Sequence, residues 1–300
     1  MATVVPRVLR KNRAARLLPR AWAYRWYDSV PFRWAPAGVP GRMAGERGPP
    51  AADGSDGVLN KEEIRRRLYV ALDVPDWPAA RRLVELLAGR AGGFKVGLEL
   101  FCAEGLAVVE KIKARGAAVF LDLKLHDIPR TVARTVRVLA AAGPDIVNVH
   151  AAGGRAMMEA AAAAAREGAE AAGRPAPLVV AVTVLTSLDD RAWREELGLD
   201  GTVAETVVGW ARLAKQAGLD GVVASPRETE AVRTACGPGF VVVTPGLRPA
   251  GFPAADQRRF LTPAEAWRRG ADYLVVGRPV TAAPDPVAAL EAVVAEIAGP

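Results

Sequence analysis

Cysteine, histidine and long apolar runs are scarce in this sequence of 300 residues. Cys102 and Cys236 lie far apart and form no metal-ligand pattern, so we expect reduced, semi-buried residues of an intracellular protein. His126 and His150 are too few for a typical histidine-based zinc site. No apolar run approaches the roughly 18 residues that a membrane-spanning helix needs. These absences argue against a disulfide scaffold, a zinc enzyme or an integral membrane protein, and they favour a cytoplasmic location.

Basic charge is abundant, but it is concentrated at one end of the chain. The formal net charge is +7. Residues 1–60 hold ten Lys and Arg and four Asp and Glu, a net +6, which leaves only +1 for residues 61–300. Any argument for nucleic-acid binding therefore concerns the first 60 residues alone. Half of the composition is hydrophobic, at 51%, which suffices for a sizeable core.

Residues 1–60 read as an extension that is either disordered or not part of the mature protein. Their start is rich in Arg, and residues 36–57 are rich in Pro, Gly and Ala, as in a linker. One alternative is a segment that binds a polyanion or an anionic membrane surface, and another is a targeting segment. We favour a dispensable extension or an unused upstream start, because Met43 would begin a compact protein. Residues 61–300 then form the catalytic domain.

Eight short apolar runs, most of them separated by helical segments, indicate a parallel sheet. Eight such units in about 240 residues predict a single (β/α)8 barrel rather than an open doubly wound sheet. No Gly-x-Gly-x-x-Gly or Walker-type loop follows the first run. The predicted strands are residues 68–73, 94–97, 118–124, 146–150, 178–185, 221–224, 240–245 and 273–277.

The third run carries charges that a buried strand rarely holds. Asp122 and Lys124 are two residues apart, so a strand places them side by side on one face, and Asp127 follows just past the strand end. A buried ion pair that ties two strands together is the structural alternative. However, polar residues follow the other runs as well, and active sites of such barrels lie at the C-terminal strand ends. The residues predicted at this mouth are Asp73, Lys95, Asp122, Lys124, His150, Thr186, Ser187, Ser225, Arg248 and Arg278.

Two segments near the end of the chain have the form of a phosphate site. Residues 245–249 and 277–279 each combine a glycine with an arginine, Arg248 and Arg278, after the seventh and eighth strands. Glycine lets a backbone N–H approach an oxyanion, and arginine binds phosphate with two hydrogen bonds. A plain strand-to-helix turn with a solvated arginine is the alternative. The segment of residues 249–262 is long and polar enough to form a mobile lid that carries Gln257.

Residues 68–298 resemble the orotidine 5′-phosphate decarboxylase family, bacterial type. The motifs that carry the resemblance occur in the family's order along the chain. They are Val70-Ala-Leu-Asp73, Lys95-Val-Gly97, Asp122-Leu-Lys-Leu-His-Asp-Ile-Pro129 with Thr131, Val147-Asn-Val-His-Ala151, Val182-Thr-Val-Leu-Thr-Ser187, Asp220-Gly-Val-Val-Ala-Ser225, Val243-Thr-Pro-Gly-Leu-Arg-Pro249, Asp256-Gln-Arg-Arg259 and Val276-Gly-Arg-Pro-Val-Thr281. Residues 1–60 have no counterpart in the family.

The resemblance implies a cofactor-free and metal-free decarboxylation of orotidine 5′-phosphate to uridine 5′-phosphate in a homodimer. It implies Lys124 as the proton donor to C6, Asp122 beside the departing carboxylate, and Lys95 as the third member of a charge array. It further implies that Asp127, together with Thr131, reaches the neighbouring subunit's site. The remaining implied substrate contacts are Asp73, Ile128, Thr186, Arg248, Gln257, Gly277 and Arg278.

Two other functions compete with this interpretation. Sugar-phosphate aldolases and keto-sugar-phosphate decarboxylases share the barrel and an Asp-x-Lys-x-x-Asp motif, but they use Mg²⁺ and carry an acidic ligand where this chain has Lys95. An ammonium at that position opposes a divalent cation. A scaffold that binds polyanions through the basic extension is the non-enzymatic alternative, and the near-neutral body argues against it. We expect no direct catalytic role for His126 or His150, since His126 alternates away from the charged face.

Overall fold

The computed structural model describes residues 60–249 and 261–299, and these residues form a closed barrel of eight parallel strands. The strands are β1 (Leu68–Ala71), β2 (Gly93–Val96), β3 (Ala118–Leu125), β4 (Ile146–His150), β5 (Leu178–Val182), β6 (Gly221–Val223), β7 (Val241–Thr244) and β8 (Tyr273–Val276). Each strand pairs with its neighbours in chain order, and β8 closes the barrel against β1, with Tyr69 opposite Val275. The predicted (β/α)8 barrel is confirmed.

Helices connect consecutive strands and surround the barrel. They are α1 (Lys61–Arg67), α2 (Trp77–Leu87), α3 (Leu98–Glu104), α4 (Ala107–Lys113), α5 (Pro129–Ala142), α6 (Gly154–Ala171), α7 (Asp190–Glu195), α8 (Val203–Gln216), α9 (Thr229–Cys236), α10 (Pro263–Arg268), α11 (Arg278–Thr281) and α12 (Pro286–Ala298). Pro129 occupies the first turn of α5, where a missing N–H costs no helical hydrogen bond. α3 and α4 are separate helices, because Gly105 takes a positive φ of 60° and ends α3.

Several strands end earlier than the apolar runs predicted. The first and fifth runs were expected to continue to Asp73 and Leu185, but β1 ends at Ala71 and β5 at Val182. Leu72 and Thr183 each donate one more hydrogen bond to the neighbouring strand, and beyond them Asp73, Val184 and Leu185 line the cavity at the mouth of the barrel. Apolar composition alone does not show at which residue a strand ends, because an apolar residue can line a cavity as well as pack in a core.

Two apolar layers form the core, one inside the barrel and one between the strands and the helices. Phe120 packs with the interior layer and the next residue, Leu121, with the outer layer, as alternation along a strand requires. The interior layer consists of Tyr69, Ala71, Phe120, Ile146, Val180, Val182, Val223, Val241, Val243, Tyr273 and Val275. Both faces of these strands are buried, which explains why the sequence shows continuous Val- and Ile-rich runs rather than alternation.

Residues just before the even-numbered strands hold the N-terminal end of the barrel together. Asp145, Asp220 and Asp272 precede β4, β6 and β8, and each carboxylate accepts a backbone N–H from the start of the preceding strand, at 2.7–2.8 Å. Each of these residues also donates its own backbone N–H to the carbonyl of the same partner. Before β2 the equivalent position is Gly92, where a Cβ would lie 2.1 Å from the carbonyl oxygen of Arg66. The strand register is therefore fixed at the end of the barrel opposite the mouth.

The extension lies outside the described residues. The prediction for residues 1–60, and the domain boundary that it implies, stays a prediction. Among the residues that are described, no helix is long and apolar enough to cross a membrane.

Candidate active site

Polar side chains at the C-terminal strand ends surround a cavity of about 460 Å³. Its floor is the top of the interior apolar layer, with Ala71, Phe120, Val182, Val223, Val243 and Val275. Its walls carry Asp73, Lys95, Asp122, Lys124, Thr186, Ser225, Arg248, Gly277 and Arg278. Of the residues predicted at this mouth, His150 and Ser187 are not part of the lining. The cavity thus combines an apolar base, which excludes water, with charges of both signs.

Four side chains of alternating charge form a row along one wall. The Nζ atom of Lys95 lies 3.2 Å from Oδ1 of Asp73 and 3.2 Å from Oδ2 of Asp122. The Nζ atom of Lys124 lies 2.7 Å from Oδ1 of Asp122, as the two-residue spacing predicted. Lys95 and Asp122 are buried, whereas more than half of the Asp73 side chain is exposed. Each buried charge therefore has an opposite charge in direct contact, which offsets the cost of its desolvation.

The mutual attraction of these groups keeps the two buried members ionised. Burial alone would raise the pKa of Asp122, but Lys95 and Lys124 outweigh it and hold the pKa below its ordinary value. Burial alone would lower the pKa of Lys95, but Asp122 and Asp73 outweigh it and raise the pKa. Lys95 and Asp122 therefore present fixed charges at neutral pH, and fixed charges are the condition for electrostatic stabilisation of a charged transition state.

The backbone at Lys124 departs from the strand conformation. Its φ is +51°, and no other non-glycine residue in the described ranges has a positive φ. The register between β3 and β4 shifts between Leu121 and Leu125, so the chain bulges at this point. The side chain of Asn148 on β4 lies beside the bulge, where Oδ1 accepts the Lys124 N–H at 2.7 Å. Its Nδ2 donates to Asp122 Oδ1 at 2.6 Å.

Asn148 is a residue of the site to which the sequence analysis assigned no role. Its motif was recognised, but the residue stands inside an otherwise apolar strand, and it is 1% exposed. A buried amide in such a strand must find hydrogen-bond partners, so an Asn within an apolar run is a sign in the sequence that the residue contacts other polar groups. The partners themselves depend on the register between two strands.

The segments after β7 and β8 carry the residues predicted for phosphate, next to the Asp73 end of the charge row. Arg248 is buried, Arg278 is exposed at the start of α11, and Gly277 stands between β8 and Arg278. Gly246 has a φ of +79°, a conformation that other residues rarely adopt, and it turns the chain after β7 toward the cavity. The N–H of Arg248 donates to the carbonyl of Leu261 at 3.1 Å, which joins the two ends of the segment predicted as a lid. Gln257 lies outside the described residues.

The residues that follow β3 project away from this cavity. Asp127, Ile128 and Thr131 are exposed, and none of them lines the cavity. Ile128 is 66% exposed, although it is a large apolar residue. The N–H of Ile128 donates to Asp127 Oδ1 at 2.6 Å, so the two residues form a compact turn before α5. The chain therefore presents this part of its motif on the outer surface, beside its own site.

Comparison with known proteins identifies the family. The family described as "Orotidine 5'-phosphate decarboxylase / HUMPS family" matches residues 66–293. The chain belongs to this family. The match spans all eight strands of the barrel, from β1 to β8, and leaves the first 60 residues outside.

The alignments with relatives cover most of this chain and most of each relative. An orotidine 5′-phosphate decarboxylase of Moorella thermoacetica is 62% identical over 231 residues, which is 77% of this chain and 92% of the relative. One of Heliobacterium modesticaldum is 49% identical over 236 residues, 79% of this chain and 97% of the relative. Among solved structures, an orotidine 5′-phosphate decarboxylase of Lactobacillus acidophilus is 38% identical, with a TM-score of 0.67 over 77% of this chain and 99% of that one.

Lys95 bears on the magnesium-dependent alternative considered from the sequence. The magnesium-dependent alternative needs an acidic ligand at this position, but the Lys95 ammonium contacts both Asp73 and Asp122 here. The carboxylates that a divalent cation would use are therefore already neutralised by a protein cation. No group of three or more His, Cys, Asp or Glu side chains suited to a metal ion occurs in the described residues.

The two histidines pack against each other beside the charge row. Their rings stack with centroids 5.3 Å apart, and His150 also contacts the edge of Trp210 at 6.0 Å. Burial lowers the pKa of His150, and the neighbouring His126 and Lys124 lower it further. His150 is thus a half-buried imidazole that does not line the cavity.

Proposed function

We propose that this chain is a carboxy-lyase that converts orotidine 5′-phosphate to uridine 5′-phosphate and CO₂, the last step of pyrimidine nucleotide synthesis, without metal or organic cofactor. The alternating row of Asp73, Lys95, Asp122 and Lys124 carries this proposal. Relatives that bear the name of this enzyme are up to 62% identical over nearly their whole length.

The reaction breaks the bond between C6 of the pyrimidine and its carboxylate carbon, and the electron pair of that bond stays on C6. The pyrimidine π-system does not delocalise this pair, so protein charges must stabilise it. Lys124 supplies an ammonium at this place and then transfers its proton to C6, which leaves a neutral amine and the product. Asp122 lies between the two ammonium groups, and the departing carboxylate sits next to it. Asp122 either repels that carboxylate or holds Lys124 in position.

The rest of the substrate is bound by residues around the same cavity. Asp73 and Lys95 bind the ribose hydroxyls, and Thr186 binds the edge of the pyrimidine. The phosphate is held by Arg248, Gln257, Gly277 and Arg278, which belong to the segments after β7 and β8. Binding energy from the phosphate, which does not react, stabilises the closed and water-excluding state in which the charges act most strongly.

The active unit is a homodimer in which each subunit completes the other's site. Asp127, Ile128 and Thr131 are exposed and lie outside the cavity of their own chain, which supports contact with a neighbouring subunit. Asp127 would extend the charge row, and Thr131 would touch the ribose and phosphate. The enzyme works in the cytoplasm on a small phosphorylated substrate, and the free thiols of Cys102 and Cys236 are consistent with this compartment.

The deciding experiment follows the loss of orotidine 5′-phosphate absorbance with purified protein in the presence of a metal chelator. Turnover under these conditions is the expected result. Activity that appears only with Mg²⁺ and phosphorylated sugars would instead support the aldolase alternative. Salt-sensitive polyanion binding that disappears when residues 1–42 are deleted, without decarboxylation, would support the scaffold alternative.

A further inference from the structure

Asn148 contacts both Asp122 and Lys124, the last two residues of the charge row. Its Oδ1 atom accepts the backbone N–H of Lys124 at 2.7 Å, and its Nδ2 atom donates to Oδ1 of Asp122 at 2.6 Å. Both bonds cross from β4 to β3, at the position where the ladder between these strands is interrupted. The same Asp122 oxygen also receives the Lys124 ammonium at 2.7 Å. One amide therefore holds the backbone of one residue and the side chain of the other.

The orientation of this amide is determined by its partners. A backbone N–H only donates and an ionised carboxylate only accepts, so the oxygen must face Lys124 and the nitrogen must face Asp122. Neither an aspartate nor an aliphatic residue of similar size offers this combination. An aspartate would place a second carboxylate against Asp122, and a leucine would leave the Lys124 N–H without its acceptor.

The bond to Lys124 also stabilises a backbone conformation that lysine avoids. A side chain with a Cβ is crowded at a positive φ, and the described residues other than glycine adopt it only at Lys124. Such strain persists where the surroundings enforce it, and it commonly occurs at functional sites. Here the strained residue is the one whose ammonium contacts Asp122.

We propose that Asn148 is a positioning residue that holds Lys124 in its left-handed backbone conformation and fixes the carboxylate of Asp122 against its ammonium. This inference rests on the proposed decarboxylase function, because it assigns the purpose of the geometry to proton transfer at C6. Asn148 itself does not line the cavity, so it acts through its two partners.

The test compares Asn148→Ala and Asn148→Asp with the wild type. Both variants should lower kcat by about 10²-fold, since a misplacement of about 1 Å in a catalytic group has an effect of this size. KM should change far less, because the ribose and phosphate contacts are left intact. The aspartate variant can still accept the Lys124 N–H, so its loss of activity reports on the contact with Asp122.

Val147→Ala is the matched control. Val147 is fully buried on the same strand, but it packs in the outer layer between the strands and the helices. This variant should lower the melting temperature and keep kcat near that of the wild type. A folded Asn148→Ala enzyme with wild-type kcat would overturn the proposal. If the alanine variant does not fold, wild-type kcat in the nearly isosteric Asn148→Asp variant would overturn it equally.

A crystal structure of the same variant separates this inference from the proposed function. In Asn148→Ala, or in Asn148→Leu where the alanine variant does not fold, the Lys124 N–H has no side-chain acceptor at position 148, so we expect Lys124 to relax to a negative φ and its Nζ to move away from Asp122. A retained φ near the present +51° would contradict the positioning role, whatever the substrate of the enzyme. If instead the wild type fails to decarboxylate orotidine 5′-phosphate, the proposed function fails while the structural result still decides the role of Asn148.

Discussion

At the scale of single residues, the charge row is a neutral assembly. Asp73 and Asp122 are matched by Lys95 and Lys124, so the substrate carboxylate arrives as an unmatched negative charge. A carboxylate 4 Å from Asp122 would be repelled by about 4 kcal/mol at an effective dielectric constant of about 20. Enzymes lower barriers by roughly 8–23 kcal/mol. Repulsion by Asp122 therefore supplies only a part of such a barrier reduction, and stabilisation of the carbanion by Lys124 must supply more of it.

Replacing Lys124 with alanine should abolish turnover and leave the fold intact. The variant loses both the proton donor and the cation next to C6, so kcat should fall by more than about 10²-fold. Steady-state decarboxylation assays and circular dichroism check the two parts of this prediction. Lys113→Ala is the control, since Lys113 pairs with Asp145 at the other end of the barrel. Appreciable residual turnover in Lys124→Ala would remove Lys124 from the role of proton donor.

Asp122 should remain ionised throughout the physiological pH range. Its folded pKa is lowered, so the stability that this carboxylate contributes is present above its ordinary pKa of 3.8. That stability is lost only as the pH falls through the still lower folded value. We expect its side-chain carboxyl resonance, assigned with Asp122→Asn, to show no titration between about pH 5 and pH 9. A midpoint within this range in the NMR titration would contradict the charge assignment.

At the scale of elements, the loops after β7 and β8 border the same cavity as the charge row, and Gly277 lies beside Asp73 at one end of that row. Replacement of Arg278 in the second of these loops tests the phosphate assignment. Arg278→Ala should raise KM roughly 10- to 100-fold, because hydrogen bonds to charged groups contribute about 1.5–3 kcal/mol. Arg81→Ala, which changes an exposed arginine paired with Glu85 on α2, serves as the control. An unchanged dependence of rate on substrate concentration in Arg278→Ala would reject the assignment.

The other end of the barrel should contribute stability and not activity. Asp145→Ala removes the acceptor for the Val119 N–H at the start of β3, so the free energy of unfolding should fall by about 1–2 kcal/mol. Lys113→Ala removes only the exposed ion pair with the same carboxylate and should cost less than about 1 kcal/mol. Urea unfolding measures both values. Equal losses in the two variants would show that the strand contact contributes nothing beyond the ion pair.

At the scale of the whole molecule, the proposed dimer makes each site depend on two chains. If Asp127 serves the neighbouring site, Lys124→Ala and Asp127→Ala inactivate different halves of one shared site. A mixed dimer of the two variants then contains one intact site, so random mixing should restore about one quarter of wild-type turnover. The assay compares the mixture with each variant alone after subunit exchange. Activity that stays at the level of the separate variants would show that Asp127 acts within its own chain.

The sequence by itself determined the number and order of the strands and most of the site. Parallel strands buried on both faces appear as continuous apolar runs, and a polar residue at the end of such a run stands out against them. Asp122 and Lys124 were recognisable as neighbours because residues two positions apart on a strand point to the same face. The family motifs extended this local information to residues far apart in the chain, such as Asp73 and Arg278.

Only the tertiary structure decided how these residues meet. Lys95 contacts both Asp73 and Asp122 because β2 pairs with β1 on one side and with β3 on the other. The left-handed backbone of Lys124 and the bridge from Asn148 depend on a register shift between β3 and β4. Periodicity along one strand carries no information about such a shift, because it arises from hydrogen bonds between strands. The residue types of the site were therefore readable from the sequence, whereas their contacts were set by the closed barrel.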